Sequence, residues 1–325
     1  MRTIACEEHF APFGSTQSEM NPRDSRSTTE YMAMVRRKLA DIGSARIADM
    51  DAAGIDMQVL SLSSVEAGTR SKDSDSVAVA RDANDMLAEA IRSPPMRYAG
   101  FATLAMHHPE SAAAELDRCV TKLGLVGAMI DGTIDGRFLD DRQFEPVLAA
   151  AEQLGVPLYL HPAPPPKPVF DAYYAGLPDA VSFALSISGY GWHAEMGLHI
   201  LRLILSGVFD RFPKVQMIVG HMGEFIPYCL ARSDVLLSRA ATHLARKVSE
   251  YFRANFYITT SGYFTVPPFL CALSVAGVER ILFAVDYPYS PNAAGRVLLD
   301  SIPVSPIDRE MIAHVNAERL LKLPS

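Results

Sequence analysis

Eight short runs rich in Ile, Val, Leu, Ala, Phe and Tyr recur along this chain, at 2–9, 57–63, 97–105, 125–131, 157–162, 215–221, 256–261 and 280–286. Apolar runs of this length read as buried strands. Helix-patterned stretches lie between most of them, including 74–93, 110–122, 143–154 and 193–208. Alternating strands and helices imply a parallel sheet, and eight such units are the count that closes a (β/α)8 (TIM) barrel. The 325 residues suit one barrel of about 250 residues plus insertions, so 1–325 is read as a single α/β domain. Gly54, Gly124, Gly155 and Gly277 stand just ahead of strands two, four, five and eight, where each would cap the preceding helix. Three connections are too long for a bare barrel: 11–40, 163–192 and 223–255. Such insertions at the C-terminal face serve as lids, pocket walls or subunit contacts.

Four of the eight runs stop at a residue type that binds metals. Ile4-Ala5-Cys6 leads into Glu7-Glu8-His9, Leu158-Tyr159-Leu160 into His161, Ile218-Val219-Gly220 into His221, and Phe283-Ala284-Val285 into Asp286. In a closed parallel barrel the C-terminal strand ends converge on one mouth, so residues far apart in sequence meet there. Glu7 and His9 are two apart and share one strand face. With His161 and Asp286 they make a mixed nitrogen and oxygen set suited to Zn²⁺, or to Mn²⁺ with waters. His221 is a further ligand or a base beside the ion. Strand alternation points Cys6 away from Glu7. Strand four ends Ile130-Asp131-Gly132 and offers no Lys for a bridging carbamate, which favours one ion over two. The other histidines lack this context: His107 and His108 precede a helix start, His193, His243 and His314 follow no strand, and His199 lies inside an apolar helix.

Charge and composition exclude several functions. A net charge of −7 with no long Lys/Arg run argues against nucleic acid or an anionic membrane as partner. No apolar stretch reaches the roughly 20 residues that cross a bilayer. The start of the chain lacks the ordered regions of a signal peptide, so a cytoplasmic protein is expected. Cys6, Cys119, Cys229 and Cys271 are far apart in apolar contexts and read as reduced thiols.

The motifs resemble the amidohydrolase superfamily, and within it the metal-dependent non-oxidative decarboxylases of the γ-resorcylate and 2,3-dihydroxybenzoate type. The residues that carry the resemblance are Glu-Glu-His-Phe at 7–10, Asp-Met-Asp-Ala-Ala-Gly-Ile-Asp at 49–56, Ala83-Asn84-Asp85, and Leu-Tyr-Leu-His-Pro at 158–162. Ser-Gly-Val-Phe-Asp-Arg-Phe-Pro at 206–213, Gly-His-Met-Gly-Glu at 220–224, Thr-Thr-Ser-Gly at 259–262 and Asp-Tyr-Pro-Tyr at 286–289 add to it. The resemblance implies that Glu7, His9, His161 and Asp286 ligate one divalent ion, Zn²⁺ or Mn²⁺. It implies catalytic parts for Asp286, His221 and Glu224, and places Arg232 near the substrate. Phe10, Trp192 and Tyr289 are candidates for the aromatic lining. Asp131 departs from the family pattern, which has Asn there, and would accept a hydrogen bond from a phenol. The implied reaction is non-oxidative loss of CO₂ from an ortho-hydroxylated aromatic carboxylate. A lactonase or amidase, and a decarboxylase of an aliphatic ring-cleavage acid, stay open as alternatives on the same fold. The apolar residues of 223–255, and the resemblance, lead to the expectation of a homodimer or homotetramer.

Overall fold

The computed structural model describes residues 1–11, 29–63, 75–93 and 97–324. Residues 12–28 of the first insertion lie outside the described residues, and its second half is the helix Thr29–Ala40. The strands are β1 (Ile4–Phe10), β2 (Met57–Leu62), β3 (Tyr98–Gly100), β4 (Ala102–Thr103), β5 (Ala128–Asp131), β6 (Leu158–His161), β7 (Met217–Val219), β8 (Phe256–Thr259) and β9 (Ile281–Leu282). They pair in parallel in the orders β1-β2-β3 and β4-β5-β6-β7-β8-β9.

The run 97–105 supplies both β3 and β4, because its pairing changes partner at Phe101. The Phe101 N–H donates to Leu60 O at 2.9 Å, and the Ala102 N–H donates to Gly127 O at 2.8 Å. At the other seam the Cys6, Asp286 and His9 N–H groups donate to Phe283 O, Glu7 O and Tyr287 O at 3.0, 2.9 and 2.7 Å. Each of the eight sequence runs therefore has a bonded neighbour on both sides.

Alternation sorts the side chains into two layers. All eight runs contribute to one inner cluster that includes Ile4, Val59, Phe101, Met129, Tyr159, Ile218, Tyr257 and Leu282. Leu158, Leu160, Val219 and Ile258 face the other way and pack under the surrounding helices. Ala317 and Leu321 of the helix Asn316–Leu321 join the inner cluster.

β1 breaks the alternation, and the break makes the site. Strict alternation would hold Ile4, Cys6, Glu8 and Phe10 on one face. Ala5 pairs with Gln58 but Glu8 pairs with Leu60, so β1 carries one extra residue between them, a β-bulge. Ile4 and Cys6 point inward below the bulge, and Glu7 and His9 point inward above it. Cys6 thus shares the barrel interior with Ile4 and does not turn away from Glu7's side. The same phase change sends Phe10 outward, where it is 1% exposed in the layer beneath the helices. Phe10 therefore packs among the apolar residues of that layer.

The Ala83-Asn84-Asp85 motif also has a structural cause. The Asn84 side chain accepts from the Thr103 N–H at 2.9 Å, donates to Thr103 O at 3.0 Å and donates to Glu115 Oε1 at 2.8 Å. It pairs with the end of β4 as a neighbouring strand would. Asn84→Leu leaves a backbone amide and a buried carboxylate short of a partner, and should cost about 2–3 kcal/mol of stability in urea unfolding. A loss within error of zero would contradict this reading.

Gly54, Gly124 and Gly155 adopt the left-handed conformation expected of them. Gly277 has φ +84° but ψ 157°, so it leaves its helix in an extended direction instead. All four cysteines are free thiols.

Candidate metal centre

Glu7 and His9 at the top of β1, His161 at the end of β6 and Asp286 after β9 place ligand atoms within 4.8 Å of one another. Oxygens and nitrogens about 2.0–2.2 Å from a shared ion lie roughly 3–4.4 Å apart. His9 Nε2 is 3.3 Å from Asp286 Oδ1, and His161 Nε2 is 3.7 Å from Glu7 Oε1.

In two of the four residues, Glu7 and His9, the far atom is held and the near atom is left free. Glu7 Oε2 accepts from the Tyr159 hydroxyl and, at 3.0 Å, from the Thr259 hydroxyl. His9 Nδ1 lies 3.1 Å from Ser61 Oγ, and His161 Nδ1 lies 3.2 Å from Asp131 Oδ1. Glu7 Oε1 and His9 Nε2 are buried with no hydrogen-bond partner. Buried polar atoms are almost always satisfied. Two orphans aimed at one point, each on a side chain anchored from behind, fit a divalent cation. Asp131 thus faces His161 from behind as an ion-pair partner.

Gly220 shapes the floor of this site. A Cβ there would lie 3.0 and 3.1 Å from the Glu7 carboxylate oxygens and 3.3 Å from Ser261 Oγ, so only Gly lets that carboxylate rest against the chain. Beyond Gly220, His221, Met222, Glu224 and Phe225 all have positive φ, as does Asp286 at +72°. Non-glycine residues in this region cost about 1–3 kcal/mol each and gather at functional sites.

His221 borders the cluster. Its Nε2 lies 3.8 Å from Glu7 Oε1 and 3.9 Å from Asp286 Oδ2. Its Nδ1 lies 2.7 Å from Glu224 Oε1, and its N–H donates to Ser261 Oγ at 3.0 Å. Burial opposes charge on His221, but Glu224 and Glu7 outweigh it and hold the imidazolium well above the ordinary range. Burial would raise Glu224, yet His221 and His193 bring its carboxyl down to about 2. Asp286 is likewise disfavoured by burial but held well below the carboxylate range by His221 and His9.

Tyr289 stacks edge-on to His9 at 5.6 Å, and Trp192 lies 6.5 Å from His161 with its indole N–H buried and unpaired. Arg232 is exposed on the helix Ile226–Ala240, and no described contact joins it to the cluster. The chain also brings in residues that sequence reasoning passed over. Tyr159 sits two positions before His161 on the same strand face, which alternation alone could have flagged. His193 had no such signal. It stands in the helix Gly191–Leu205, and its Nδ1 lies 2.6 Å from Glu224 Oε2. His199 packs in the same helix as expected, accepting from the Leu139 N–H at 2.9 Å.

A parallel barrel with Glu-x-His on its first strand, His on its fifth and Asp after its eighth defines a class of metal-dependent barrel enzymes. The amidohydrolase family model matches residues 4–323, and this chain belongs to that family. It is 36% identical over 331 residues to decarboxylase orsB of Emericella nidulans, covering 98% of this chain and 97% of that protein. It is 35% identical over 338 residues to the γ-resorcylate decarboxylase of Polaromonas sp. JS666, covering 98% of each. The crystal structure of a dihydroxybenzoic acid decarboxylase from Polaromonas sp. JS666, with bound manganese and the inhibitor 2-nitroresorcinol, superposes with a TM-score of 0.86 at 33% identity, covering 99% of this chain and 97% of that one.

Proposed function

We propose that this protein is a metal-dependent carboxy-lyase that removes CO₂ from an ortho-hydroxylated aromatic carboxylate. The observation that carries this reading is the pair of orphaned atoms, Glu7 Oε1 and His9 Nε2, with His221 Nε2 3.8 Å from Glu7 Oε1. Relatives that match nearly the whole chain are named decarboxylases, one of them with manganese bound. Glu7, His9, His161 and Asp286 would hold one divalent ion, Mn²⁺ or Zn²⁺. Such an ion supplies positive charge that neutralises and orients a carboxylate and its neighbouring phenol oxygen.

The rest of the reaction falls to the chain's own side chains. The bond from ring to carboxyl carbon breaks, its electron pair stays on the ring carbon, and a proton replaces the CO₂ that leaves. Putting that proton on the ring disrupts aromaticity, so the acid must be close and held in place. In this reading the acid is His221, whose Nε2 has Asp286 Oδ2 at 3.9 Å as its neighbour. His221 would then be the proton's store and Asp286 the group that passes it to the ring or orients the ring to receive it. Glu224 balances the charge on His221. Tyr289 and Trp192 flank the space beside His9 and His161 and would grip an aromatic ring by edge and face.

Among the described residues no helix is long and apolar enough to cross a membrane. Phe225, Tyr228, Val235 and Leu236 are exposed at the insertion, Tyr228 by 89%, which supports self-association into a dimer or tetramer.

The test is CO₂ release from 2,3- and 2,6-dihydroxybenzoate, salicylate and 5-carboxyvanillate. The protein is stripped with a chelator and reloaded separately with Zn²⁺, Mn²⁺ or Mg²⁺. Release from at least one acid is expected, lost on stripping and restored by metal. No release from any, with metal bound in the stoichiometry of one per chain, would refute the reading.

A further inference from the structure

We propose that His193 is a positioning residue of this site, acting through Glu224 to hold the His221 ring in its working orientation. Glu224 is fully buried, and each of its oxygens is held by a different imidazole: Oε1 by His221 Nδ1 at 2.7 Å and Oε2 by His193 Nδ1 at 2.6 Å. The terminal torsion of a Glu is broad and two-fold, so a carboxylate held at one oxygen turns easily. Anchoring the second oxygen removes that freedom. With Glu224 fixed, the His221 Nδ1–H is committed to it, and Nε2 is left facing Glu7 and Asp286.

The helix Gly191–Leu205 is built to make this contact. His193 and Gly197 are one turn apart on the same face. A Cβ on Gly197 would lie 2.9 Å from the Glu224 carbonyl oxygen, so the helix backbone rests directly on the Glu224 segment. His193 is anchored from behind as well, with Nε2 at 3.3 Å from the Ser188 carbonyl oxygen. A carbonyl oxygen only accepts, and so does an ionised carboxylate. Both ring nitrogens of His193 therefore face acceptors, and a donor at Nδ1 meets a carboxylate, the acceptor that makes the shorter bond. The competing account is plain packing, since the His193 ring also lies 5.2 Å from Phe225 and 5.4 Å from Tyr263.

Two substitutions rank oppositely under the two accounts. His193→Phe keeps an aromatic ring and loses the donor. His193→Asn loses the ring and keeps an N–H close to where Nδ1 stood. If His193 positions His221, H193F lowers kcat by about 10–100-fold, the usual range for partners behind a working residue, with KM and metal content unchanged. H193N then recovers most of that loss, and H193F adds little in a Glu224→Leu background. If His193 only packs, H193N is the worse variant, or H193F costs the same with or without Glu224, and the proposal falls.

The kinetic arm rests on the decarboxylase reading, and a second arm does not. In the metal-free protein labelled with ¹⁵N-histidine, the Nδ1–H protons donated to Glu224 should give two downfield resonances, assigned by His193→Phe and His221→Asn. H193F should remove its own signal and shift or broaden that of His221. An unchanged His221 resonance in H193F would overturn the proposal. If no acid in the panel releases CO₂, the decarboxylase reading fails while this resonance still decides the part His193 plays.

Discussion

Asp286→Asn should abolish turnover, with kcat falling by at least about 10³-fold, the upper part of the range for acid–base groups. Asn keeps the size of Asp, and it is among the few residues that tolerate a left-handed backbone, so the φ of +72° at this position should survive. The backbone anchor, the Asp286 N–H donating to Glu7 O at 2.9 Å, involves no side chain and survives as well. What disappears is the negative charge facing His9 at 3.3 Å and His221 at 3.9 Å. A neutral amide neither balances an ion there nor passes a proton. The check is CO₂ release measured beside metal content and the thermal unfolding midpoint. An Asp286→Asn enzyme that turns over at more than a tenth of the parent rate would remove Asp286 from the chemistry.

The second large effect is expected at His221. His221→Asn should lower kcat by about 10²–10⁴-fold while leaving the metal in place. Glu7, His9, His161 and Asp286 are the proposed ligands, and His221 is not among that cluster. Position 221 has φ +52°, which Asn again accommodates, and the backbone N–H bond to Ser261 does not depend on the side chain. The substitution removes the imidazole with its Nε2, and the Nδ1 contact to Glu224 at 2.7 Å goes with it. Loss of metal together with activity would make His221 a ligand. Full activity with metal retained would exclude it from the reaction.

The two variants separate the roles that the geometry superimposes. Asp286 both completes the ligand set and neighbours the proton store. His221 stands one contact back from the ion, with Glu224 behind it and His193 behind that. A difference in metal retention between the two variants is therefore as informative as their rates.

Much of this arrangement follows from local pattern. Apolar runs with helices between them specify eight parallel staves, because a strand buried on both faces must be apolar and each crossover needs a helix. Parallel staves in a ring must bring their C-terminal ends to one mouth, so the ends that carry His161, His221 and Asp286 converge there with the end of the first run. The choice of ligand types at those ends is chemistry that the residues state directly.

Other features depended on contacts between segments distant in the chain. The bulge in β1 is a mismatch with β2, visible only when Ala5 and Glu8 are paired with Gln58 and Leu60. That mismatch decides that Phe10 is packing and that Cys6 lies inside. The partnership of His193 with Glu224 joins a helix to a loop 31 residues away, with no periodicity to announce it. Asp131 came to face His161 because β5 and β6 pair at those two residues. Sequence determined the barrel and the residue types at the ends of its strands, since periodicity and residue type act locally. Only the tertiary structure decided which side chains stand behind those ligands, because that depends on register and packing between elements.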